Sequence, residues 1–316
     1  MTASNSLKKL YRSYLDFIAA AGAGDERPPS ISRSNREAIK ALRTAIRAKR
    51  LALVLGAGVS AECGVPQWGK LVSGLVDSGF PPALRKRIKR SKIPLVRKIR
   101  LLEQVQKTYR LRLRDKLYRR TSVSSKTNLY HIAKFAVLMH QRGCVDRIVT
   151  YNFDDLLREE IHRRSPQRKT KLISSKTHYH LEYGKLHIIH PHGHIARDMA
   201  DDDILSLALV FAEPDYHRHF LDYSFWANAA QIATFAEYVC LFIGISFDDP
   251  NHRRLLDAAR NYGPADMRHV AIVKWNSDRN KDILTQRDLA SFGIRPLWVK
   301  DYRRIRVLLS RLLRKD

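Results

Sequence analysis

The amino-acid sequence predicts an α/β protein with a Rossmann-like, doubly wound parallel sheet and a smaller helical insert. Short aliphatic runs alternate with amphipathic helical segments along most of the 316 residues, as in the strand–helix–strand units of a parallel sheet. Each aliphatic run also ends in glycine or polar residues. Because ligands of such sheets bind at the carboxyl ends of the strands, we expect a functional site where these runs end.

The composition combines an ordinary hydrophobic content with an unusual charge. Hydrophobic residues make up 44% of the chain, and no apolar stretch approaches the roughly 20 residues that cross a bilayer. Lys and Arg number 58 against 31 Asp and Glu, a formal net charge of +27. This excess predicts an anionic partner: a nucleic acid, an acidic protein or a phosphorylated small molecule. A basic surface that only keeps the protein soluble is the alternative.

The amino terminus and the cysteines favour a cytoplasmic protein without a membrane segment. The chain starts with a basic segment and a short apolar patch, but Asp16 at the edge of the patch argues against a signal peptide. The three cysteines are scattered and lack the spacing of a disulfide framework or a zinc site. They are Cys63, Cys144 and Cys240.

The first two predicted regions are an N-terminal helical arm with its linker, residues 1–36, and the first part of the sheet domain, residues 37–80. The linker is inferred from a stretch rich in Gly, Pro and Ser. Asn35 is predicted to cap a helix whose apolar residues recur at helical spacing. That helix leads into the first strand, which begins at Leu51.

Residues 81–140 are predicted to form a basic helical insert. Between Pro81 and Arg120 the chain holds 16 Lys and Arg but only two acidic residues. Apolar residues keep a spacing of three to four there, which predicts helices with a packed face and a basic face. The basic face would contact a nucleic acid or a protein partner, form an oligomer surface, or simply be solvated.

The remainder of the sheet domain, residues 141–316, continues the alternation. Five further strands are predicted at VDRIVTYN, LHIIHPHG, YVCLFIG, HVAIVKW and RPLWV. Helices are predicted at NLYHIAKFAVLMHQRG, DDLLREEIHRR, HRHFLDYSFWANAAQIATFA and PNHRRLLDAAR.

The first strand ends in the sequence GAGVS. Gly56 and Gly58 allow a tight turn and would let a pyrophosphate approach the amides of the following helix without obstruction. The third glycine of the dinucleotide-binding fingerprint is missing, so this motif alone leaves a phosphate site open.

Two further strand ends carry groups capable of chemistry. Asn152 and Asp154 follow an apolar strand, where an amide and a carboxylate can bind sugar hydroxyls or a water; alternatively, Asp154 or Asp155 only caps the next helix. The next predicted strand ends at His192, and histidine is the side chain that exchanges protons near neutral pH.

The histidines around this strand end also raise the question of a metal. His190, His192 and His194 alternate, so one face of a regular strand would carry all three. Pro191 and Gly193 disfavour a regular strand there, and further ligands are not identified. No metal is therefore expected, and His190 and His194 are interpreted as core or surface residues.

A fourth strand end lies in LFIGISFDDPNHRRLL. The turn at Gly244 and Ser246 can present backbone N–H groups and a hydroxyl to a second phosphate or a ribose, and Asp249 or Asn251 is predicted to cap the following helix. An ordinary strand–helix turn is the alternative.

Taken in order, these motifs resemble those of sirtuin-like domains. The segments that carry the resemblance are GAGVS with GVPQW behind it, TYNFD, HGH, LVFAEPDYHRHF and GISFDDPN. Within that superfamily the chain looks most similar to the branch found in bacterial anti-phage defence. The N-terminal arm and the basic region of residues 81–120 lie outside the resemblance or interrupt it.

The chain departs from deacetylating sirtuins in three respects. Their four-cysteine zinc module cannot be built from three scattered cysteines. Their Gln before the Asn is Tyr151 here, and the acidic-aromatic-basic run after their Pro is replaced by Gln67 and Trp68. These departures disfavour acyl-lysine substrates, while the motifs of the NAD pocket are retained.

The resemblance implies that NAD is the substrate and that the bond between nicotinamide and ribose is cleaved through an oxocarbenium-like centre. It implies that Asn152 holds the ribose or the attacking water, that His192 is the general base, and that Asp154 supports the site. The residues implied to line the dinucleotide are Gly56, Ala57, Gly58, Ser60, Gly244 and Ser246, with Pro66 and Trp68 near the nicotinamide end.

The implied function is hydrolysis of NAD+ to ADP-ribose and nicotinamide, as the effector of an anti-phage defence that depletes NAD. Such an enzyme needs control, by homo-oligomerisation or by a partner protein such as a HerA-type ATPase. Two alternatives remain open: a protein deacylase or ADP-ribosyltransferase that uses the same pocket, and a non-catalytic subunit that senses NAD or ADP-ribose and binds nucleic acid through the basic insert.

Overall fold

The computed structural model describes residues 31–106, 108–165, 170–175, 180–221, 225–263, 269–276 and 278–314. The helix predicted near the amino terminus lies outside these ranges, as does most of the predicted linker. Within them, each helix is too short or too polar to cross a membrane.

A seven-stranded sheet in the order β3-β4-β2-β1-β5-β6-β7 forms the centre of the fold. Its strands are β1 (Leu51–Leu55), β2 (Arg147–Thr150), β3 (Thr170–Ile173), β4 (Leu186–Ile189), β5 (Val239–Ile243), β6 (His269–Lys274) and β7 (Ile294–Val299). All six pairings are parallel, which confirms the predicted fold class. The chain leaves β1 toward β2 on one side and returns to β5 on the other, so the topological switch point lies at the carboxyl end of β1.

The helices cover both faces of the sheet. They are α1 (Ile31–Arg47), α2 (Ala57–Ala61), α3 (Trp68–Gly79), α4 (Pro82–Arg90), α5 (Leu95–Val105), α6 (Tyr109–Tyr118), α7 (Asn128–Gln141), α8 (Leu156–Arg164), α9 (Asp201–Ser206), α10 (Glu213–Leu221), α11 (Trp226–Glu237), α12 (Pro250–Arg260), α13 (Arg279–Ser291) and α14 (Ile305–Leu313), with one 3₁₀ turn at Tyr302–Arg304.

The sequence of β1 shows why the sheet is buried on both sides. All five of its residues are buried, and successive side chains of a strand point to opposite faces. Leu51, Leu53 and Leu55 join the core cluster under α1, α3 and α7. Ala52 and Val54 join the second cluster, under α11 and α12. A strand covered on both faces therefore has no polar alternation, which is the aliphatic run seen in the sequence.

Helices α4, α5 and α6 form where the basic region was predicted to be helical. Each has a buried side, represented by Ile88 in α4, Leu102 in α5 and Leu113 in α6. Helix α3 contacts all three of them. Helix α7, which also falls in the predicted insert of residues 81–140, instead packs on α8 and α14 over the sheet.

Helices α3, α9 and α14 were not predicted from the sequence, and neither were strand β3 and helix α13. Strand β3 has only four residues, of which Ile173 alone is buried, because it is an edge strand that pairs only with β4. Helix α13 joins β6 and β7 and is mostly polar, so it lacks a clear apolar stripe. Both elements have too little buried surface to leave a periodic signal.

Two helix boundaries also differ from prediction. The single helix predicted at HRHFLDYSFWANAAQIATFA is two helices, because α10 already starts at Glu213 and ends at Leu221, and α11 starts at Trp226. The capping role of Asn35 is wrong, since α1 already begins at Ile31. Asn35 does bind backbone, but that of β7: its Nδ2 donates to the Trp298 carbonyl (2.9 Å) and its Oδ1 accepts from the Trp298 N–H (2.7 Å).

Candidate active site

Two adjoining cavities lie at the carboxyl ends of β1, β2 and β5, at the switch point of the sheet. The first has a volume of about 600 Å³ and the second about 660 Å³. They share a wall, formed by Ala57, Trp68, Tyr151, His192, Ser246 and Asp249. The site predicted at the strand ends is thus a double chamber of the size that small-molecule sites usually have.

The glycines of the first turn are required by the neighbouring strand. A Cβ atom on Gly56 would lie 2.4 Å from the Gly244 carbonyl oxygen, and one on Gly58 would lie 2.9 Å from the Gly244 Cα. The Gly56 N–H donates to the Ile243 carbonyl (3.0 Å) and the Gly58 N–H to the Gly244 carbonyl (3.1 Å). The protein's own backbone therefore occupies the N–H groups of the two glycines themselves. The approach of a pyrophosphate to the amides of the following helix stays a prediction.

The two glycine turns nevertheless form one wall of the first cavity. Gly56, Ala57 and Gly58 line it from β1, and Gly244 and Ser246 line it from β5. Gly244 has a φ of +71°, and a Cβ atom there would lie 2.8 Å from the Val59 nitrogen. Three glycines thus lie on this wall, so a ligand can come close to the backbone there.

The cap of α12 is Asp249, one of the two residues predicted for that role. Its Oδ1 accepts from the Asn251 N–H (2.8 Å) and the His252 N–H (3.4 Å). Asp249 also lines both cavities. The structure thus places a carboxylate on the shared wall, where it is held by the first turn of a helix.

Asn152, Ser60 and Asp154 form a buried chain of hydrogen bonds. Asn152 Nδ2 donates to Ser60 Oγ (2.9 Å), and Ser60 Oγ donates to Asp154 Oδ1 (3.1 Å). Ser60 was expected to line the dinucleotide, but it is buried and lines neither cavity. The chain of hydrogen bonds fixes the amide plane of Asn152 and leaves its Oδ1 buried without a partner among the described residues.

The environment of Asp154 makes its charge costly. Burial raises its pKa to about 6, against the hydrogen bonds from Ser60 and from the Leu156 N–H, which lower it. The Leu156 contact (3.3 Å) shows that Asp154 also helps to cap α8, as the alternative interpretation had it. Asp154 lines the second cavity together with Asn152, but its hydrogen bonds are directed to the protein.

His192 stands at the junction of the two cavities and lines both. Its ring lies 5.2 Å from that of Tyr151 and 5.9 Å from that of Tyr216. Burial lowers the pKa of His192 below its usual value, and the Asp249 carboxylate opposes this shift. The imidazole is therefore neutral near pH 7 and able to accept a proton.

The neighbouring histidines have separate roles. His190 Nδ1 bonds the Asn152 carbonyl (3.0 Å), and burial lowers its pKa to about 3. His194 lies 3.7 Å from Asp155. In the part of the chain that the structure describes, no group of three or more His, Cys, Asp or Glu is arranged to hold a metal ion.

The two residues predicted near the nicotinamide end both line the second cavity. Pro66 lines the second cavity and Trp68 lines both. The Trp68 ring meets Phe211 edge to face, with centroids 4.9 Å apart. Trp68 begins α3, so its position depends on the start of that helix.

The structure brings to the site two aromatic residues that the sequence motifs did not predict there. His252 is buried, lines the first cavity and stacks on Phe247; its Nε2 has no hydrogen-bond partner among the described residues. Tyr216 lines the second cavity opposite His192. Tyr216 lies within the quoted segment LVFAEPDYHRHF, whereas His252 gave no signal because the first turn of α12 was interpreted only as a cap.

Tyr118 connects the basic helices to the site. It ends α6, and its hydroxyl donates to the Ile195 carbonyl (2.6 Å) and accepts from the Asp155 N–H (2.8 Å). These two backbone groups belong to the loops that follow His192 and Asp154. A residue of the predicted insert therefore holds together two strand-end loops of the sheet domain.

Comparison with known proteins agrees with the resemblance seen in the motifs. Residues 146–297 match a family model described as a SIR2-like domain. A solved structure reported as a structural basis for the mechanism and regulation of Sir2 enzymes has 15% sequence identity and a TM-score of 0.46, over 88% of this chain and 95% of that chain. No curated protein matches. The matched residues include Asn152, His192 and the Gly244 turn, but not the first glycine turn or the basic helices.

Proposed function

We propose that this protein hydrolyses NAD+ to ADP-ribose and nicotinamide. One observation carries the proposal: the unpartnered amide oxygen of Asn152 and the neutral imidazole of His192 belong to the lining of one cavity, beside a second cavity walled by two glycine turns. The match of residues 146–297 to SIR2-like domains supports an NAD-dependent activity in general.

In this proposal the dinucleotide lies across the shared wall. Its adenosine and diphosphate occupy the first cavity against Gly56–Gly58 and Gly244. The nicotinamide ribose reaches His192, and Pro66 and Trp68 flank the nicotinamide. The glycine wall, and not free glycine amides, is the surface offered to the diphosphate, because those amides are already bonded.

The residues would divide the reaction as follows. The bond between the ribose C1 and the nicotinamide nitrogen breaks, its electrons leave with neutral nicotinamide, and positive charge develops on the ribose. Asp249, on the shared wall, faces that charge with a carboxylate. Asn152 Oδ1 accepts a hydrogen bond from the attacking water or a ribose hydroxyl. The water oxygen bonds to C1, and its proton passes to His192.

Ser60 and Asp154 act on this chemistry through Asn152. Their hydrogen bonds hold the amide so that Nδ2 is engaged and Oδ1 is free to accept. They are positioning residues, since Ser60 lines neither cavity and the hydrogen bonds of Asp154 go to the protein.

The size of the second cavity supports a second candidate function, transfer of a group to an acceptor other than water. The second cavity, at about 660 Å³, is far larger than one water requires, so it can take an acceptor group other than water. A protein deacylase or an ADP-ribosyltransferase would use this space for its acceptor. Against the deacylase, the three cysteines are buried at separate places in the fold.

The motif resemblance supports a role as effector of anti-phage defence. Hydrolysis of a shared cofactor harms the cell unless it is restrained, so we propose control by homo-oligomerisation or by a partner such as a HerA-type ATPase. The proposed location is the cytoplasm, where the substrate is present.

The test is NAD+ turnover by the purified chain, and NAD+ loss in cells that express it. Nicotinamide and ADP-ribose should appear in equal amounts. His192→Ala should lower kcat about 10²- to 10⁴-fold, and Asn152→Ala about 10²- to 10³-fold. His180→Ala, at an exposed histidine outside both cavities, is the matched control and should have no effect.

The outcomes separate the candidates. Full activity in both site variants would overturn the proposal. Nicotinamide release only in the presence of an acyl peptide or an acceptor protein would favour the second candidate. If the protein binds NAD+ but consumes it neither in solution nor in expressing cells, the result would support a non-catalytic NAD sensor.

A further inference from the structure

The cations of the basic helices fall into two groups, those that bond to other parts of the described fold and those that do not. One group bonds to other parts of the fold: Arg100 pairs with Glu213 (2.9 Å), Arg114 pairs with Asp201 (2.8 Å), and Arg110 donates to the Leu205 carbonyl (3.1 Å). These arginines attach α5 and α6 to the chain around α9 and α10. Their charge is explained by the fold itself.

The second group is on and beside α4. Lys86, Arg87, Arg90 and Lys92 are exposed, and none of the four has an acidic partner or a bonded carbonyl among the described residues. Helix α4 has nine residues, no acidic residue and one buried side chain, Ile88. Two other cations of α4 have structural partners: Arg85 donates to the Phe80 carbonyl (3.1 Å) and Lys89 pairs with Asp77 (2.8 Å). Neither the core nor these contacts account for the four exposed cations.

The geometry of α4 gathers these charges on one side. At about 100° per residue, Lys86, Arg87 and Arg90 fall within an arc of about 100°, on the side of the helix away from Ile88. Arg90 stands at i+4 from Lys86 and at i+3 from Arg87, spacings at which like charges destabilise an isolated helix. A polyanion that neutralises the row would remove this repulsion.

The composition of α4 also indicates which polyanion fits. The segment PPALRKRIKRSK contains no aromatic residue, so it offers no platform on which the bases of a single strand could stack. Cations in a row suit the phosphates of a duplex, which are contacted from outside without reading the bases.

We propose that α4 and Lys92 form a binding surface for the phosphate backbone of a double-stranded nucleic acid, outside the two cavities. This surface is separate from the proposed NAD chemistry, since none of its four cations lines either cavity. The protein would then bind a second ligand besides NAD+. Part of its positive charge, the part on α4, would serve to bind that ligand.

The test measures binding of the full chain to a fluorescein-labelled duplex of random sequence by anisotropy, between 50 and 200 mM KCl. DNA and RNA duplexes are separate arms, and a single strand of the same sequence is a third. The variant Lys86→Gln/Arg87→Gln/Arg90→Gln removes three charges. Arg306→Gln/Arg311→Gln/Arg314→Gln removes three exposed charges of α14 and its end, and is the matched control.

Wild type should bind a duplex more tightly at low salt and more tightly than the single strand. The α4 variant should flatten the slope of log affinity against log salt by about 3 and weaken binding at least about tenfold at 100 mM KCl. The α14 variant should stay within about threefold of wild type. Thermal unfolding and NAD+ turnover of the α4 variant should match wild type, which separates this surface from the active site.

Three results would overturn the proposal: no duplex binding by wild type at 50 mM KCl, an equal loss in the α4 and α14 variants, or tighter binding of the single strand. The second result would mean that net charge alone attracts the duplex. The third result would mean that the protein binds single strands through a stacking surface outside α4.

Discussion

The strand-end site and the basic helices both carry many polar side chains, but they treat them differently. At the site, Ser60, Asn152 and Asp154 are buried, and a single hydrogen-bond chain uses all three. On the basic helices, two exposed arginines differ: Arg100 pairs with Glu213, whereas Arg87 has no acidic partner among the residues that the structure describes. Burial forces polar groups to find partners, whereas exposure does not.

Because of this difference, a polar group without a partner has a different meaning in each region. In the buried site, an atom without a partner is informative, because its isolation has a cost that a ligand can remove; Asn152 Oδ1 is such an atom. On the exposed helices, a single cation without a partner is ordinary. Only a cluster arranged on one side of an element whose packing does not require it suggests a ligand.

The largest expected effect concerns the backbone contact on which the site is built. Gly56→Ala would place a Cβ atom 2.4 Å from the Gly244 carbonyl oxygen, so one of the two turns must move. We expect a loss of about 3 kcal/mol in the free energy of unfolding, measured by urea denaturation, together with loss of NAD+ turnover.

Gly69→Ala is the matched control, because a Cβ atom on Gly69 meets nothing within 4 Å. This glycine lies in α3, where alanine should stabilise the helix by up to about 1 kcal/mol. Equal stability of the Gly56→Ala variant and wild type would show that the two turns are not rigidly coupled. The site would then not depend on the close contact between the two backbones.

The second prediction concerns the pH dependence that burial gives to Asp154. Its folded-state pKa is raised from 3.8 to about 6 by burial. Protons are therefore bound more tightly in the folded state, and this group's contribution to stability is lost as pH rises from about 4 through 6. The stability of Asp154→Asn relative to wild type should therefore rise by about 2 kcal/mol from pH 4 to pH 7.

The measurement is the difference in unfolding free energy between wild type and Asp154→Asn at pH 4, 5, 6 and 7. A difference is needed because buried histidines act in the opposite direction: burial lowers the pKa of His252 to about 4, so its contribution to stability is lost as pH falls below 6.5. A difference that does not vary with pH would contradict the costly charge assigned to Asp154.

The third prediction tests the residue that joins the two regions. Tyr118→Phe removes the hydroxyl bonded to the Ile195 carbonyl and the Asp155 N–H. Two buried backbone groups would lose their partner, which should cost about 2 kcal/mol of unfolding free energy and lower kcat while KM changes little. Tyr183→Phe, at a fully exposed tyrosine, should change neither quantity. A wild-type kcat in the Tyr118→Phe variant would show that the basic helices do not position the strand-end loops.

The same contrast explains how far the sequence could predict this molecule. Buried strands such as β1 leave continuous aliphatic runs, and their ends are marked by glycines or by polar side chains such as Asn152. Those signals are local, so the fold class could be predicted, and so could the position of the cavities at the strand ends. The edge strand β3, with Ile173 as its one buried residue, left no such run.

What could not be predicted depends on contacts between segments distant in sequence. Gly56 was correctly noticed as a place of close approach, but the approaching group is the backbone of Gly244. Asn35 was wrongly predicted to cap a helix, and the backbone that it binds is that of Trp298 in β7. In both cases only the fold could reveal the partner.

The smallest expected effect returns to the two kinds of cation on the basic helices. Arg100→Gln breaks the pair with Glu213, whose side chains are 50% and 20% exposed, so screening by water limits the loss to about 0.5 kcal/mol of unfolding free energy. Arg87→Gln should cost nothing measurable in stability, yet weaken duplex binding. The reverse pattern, a stability loss at Arg87 and a binding loss at Arg100, would mean that the structural and the ligand-binding cations have been assigned the wrong way round. Since both variants remove one exposed arginine from neighbouring helices, their net charge is identical, and any difference between them must come from where each charge is placed.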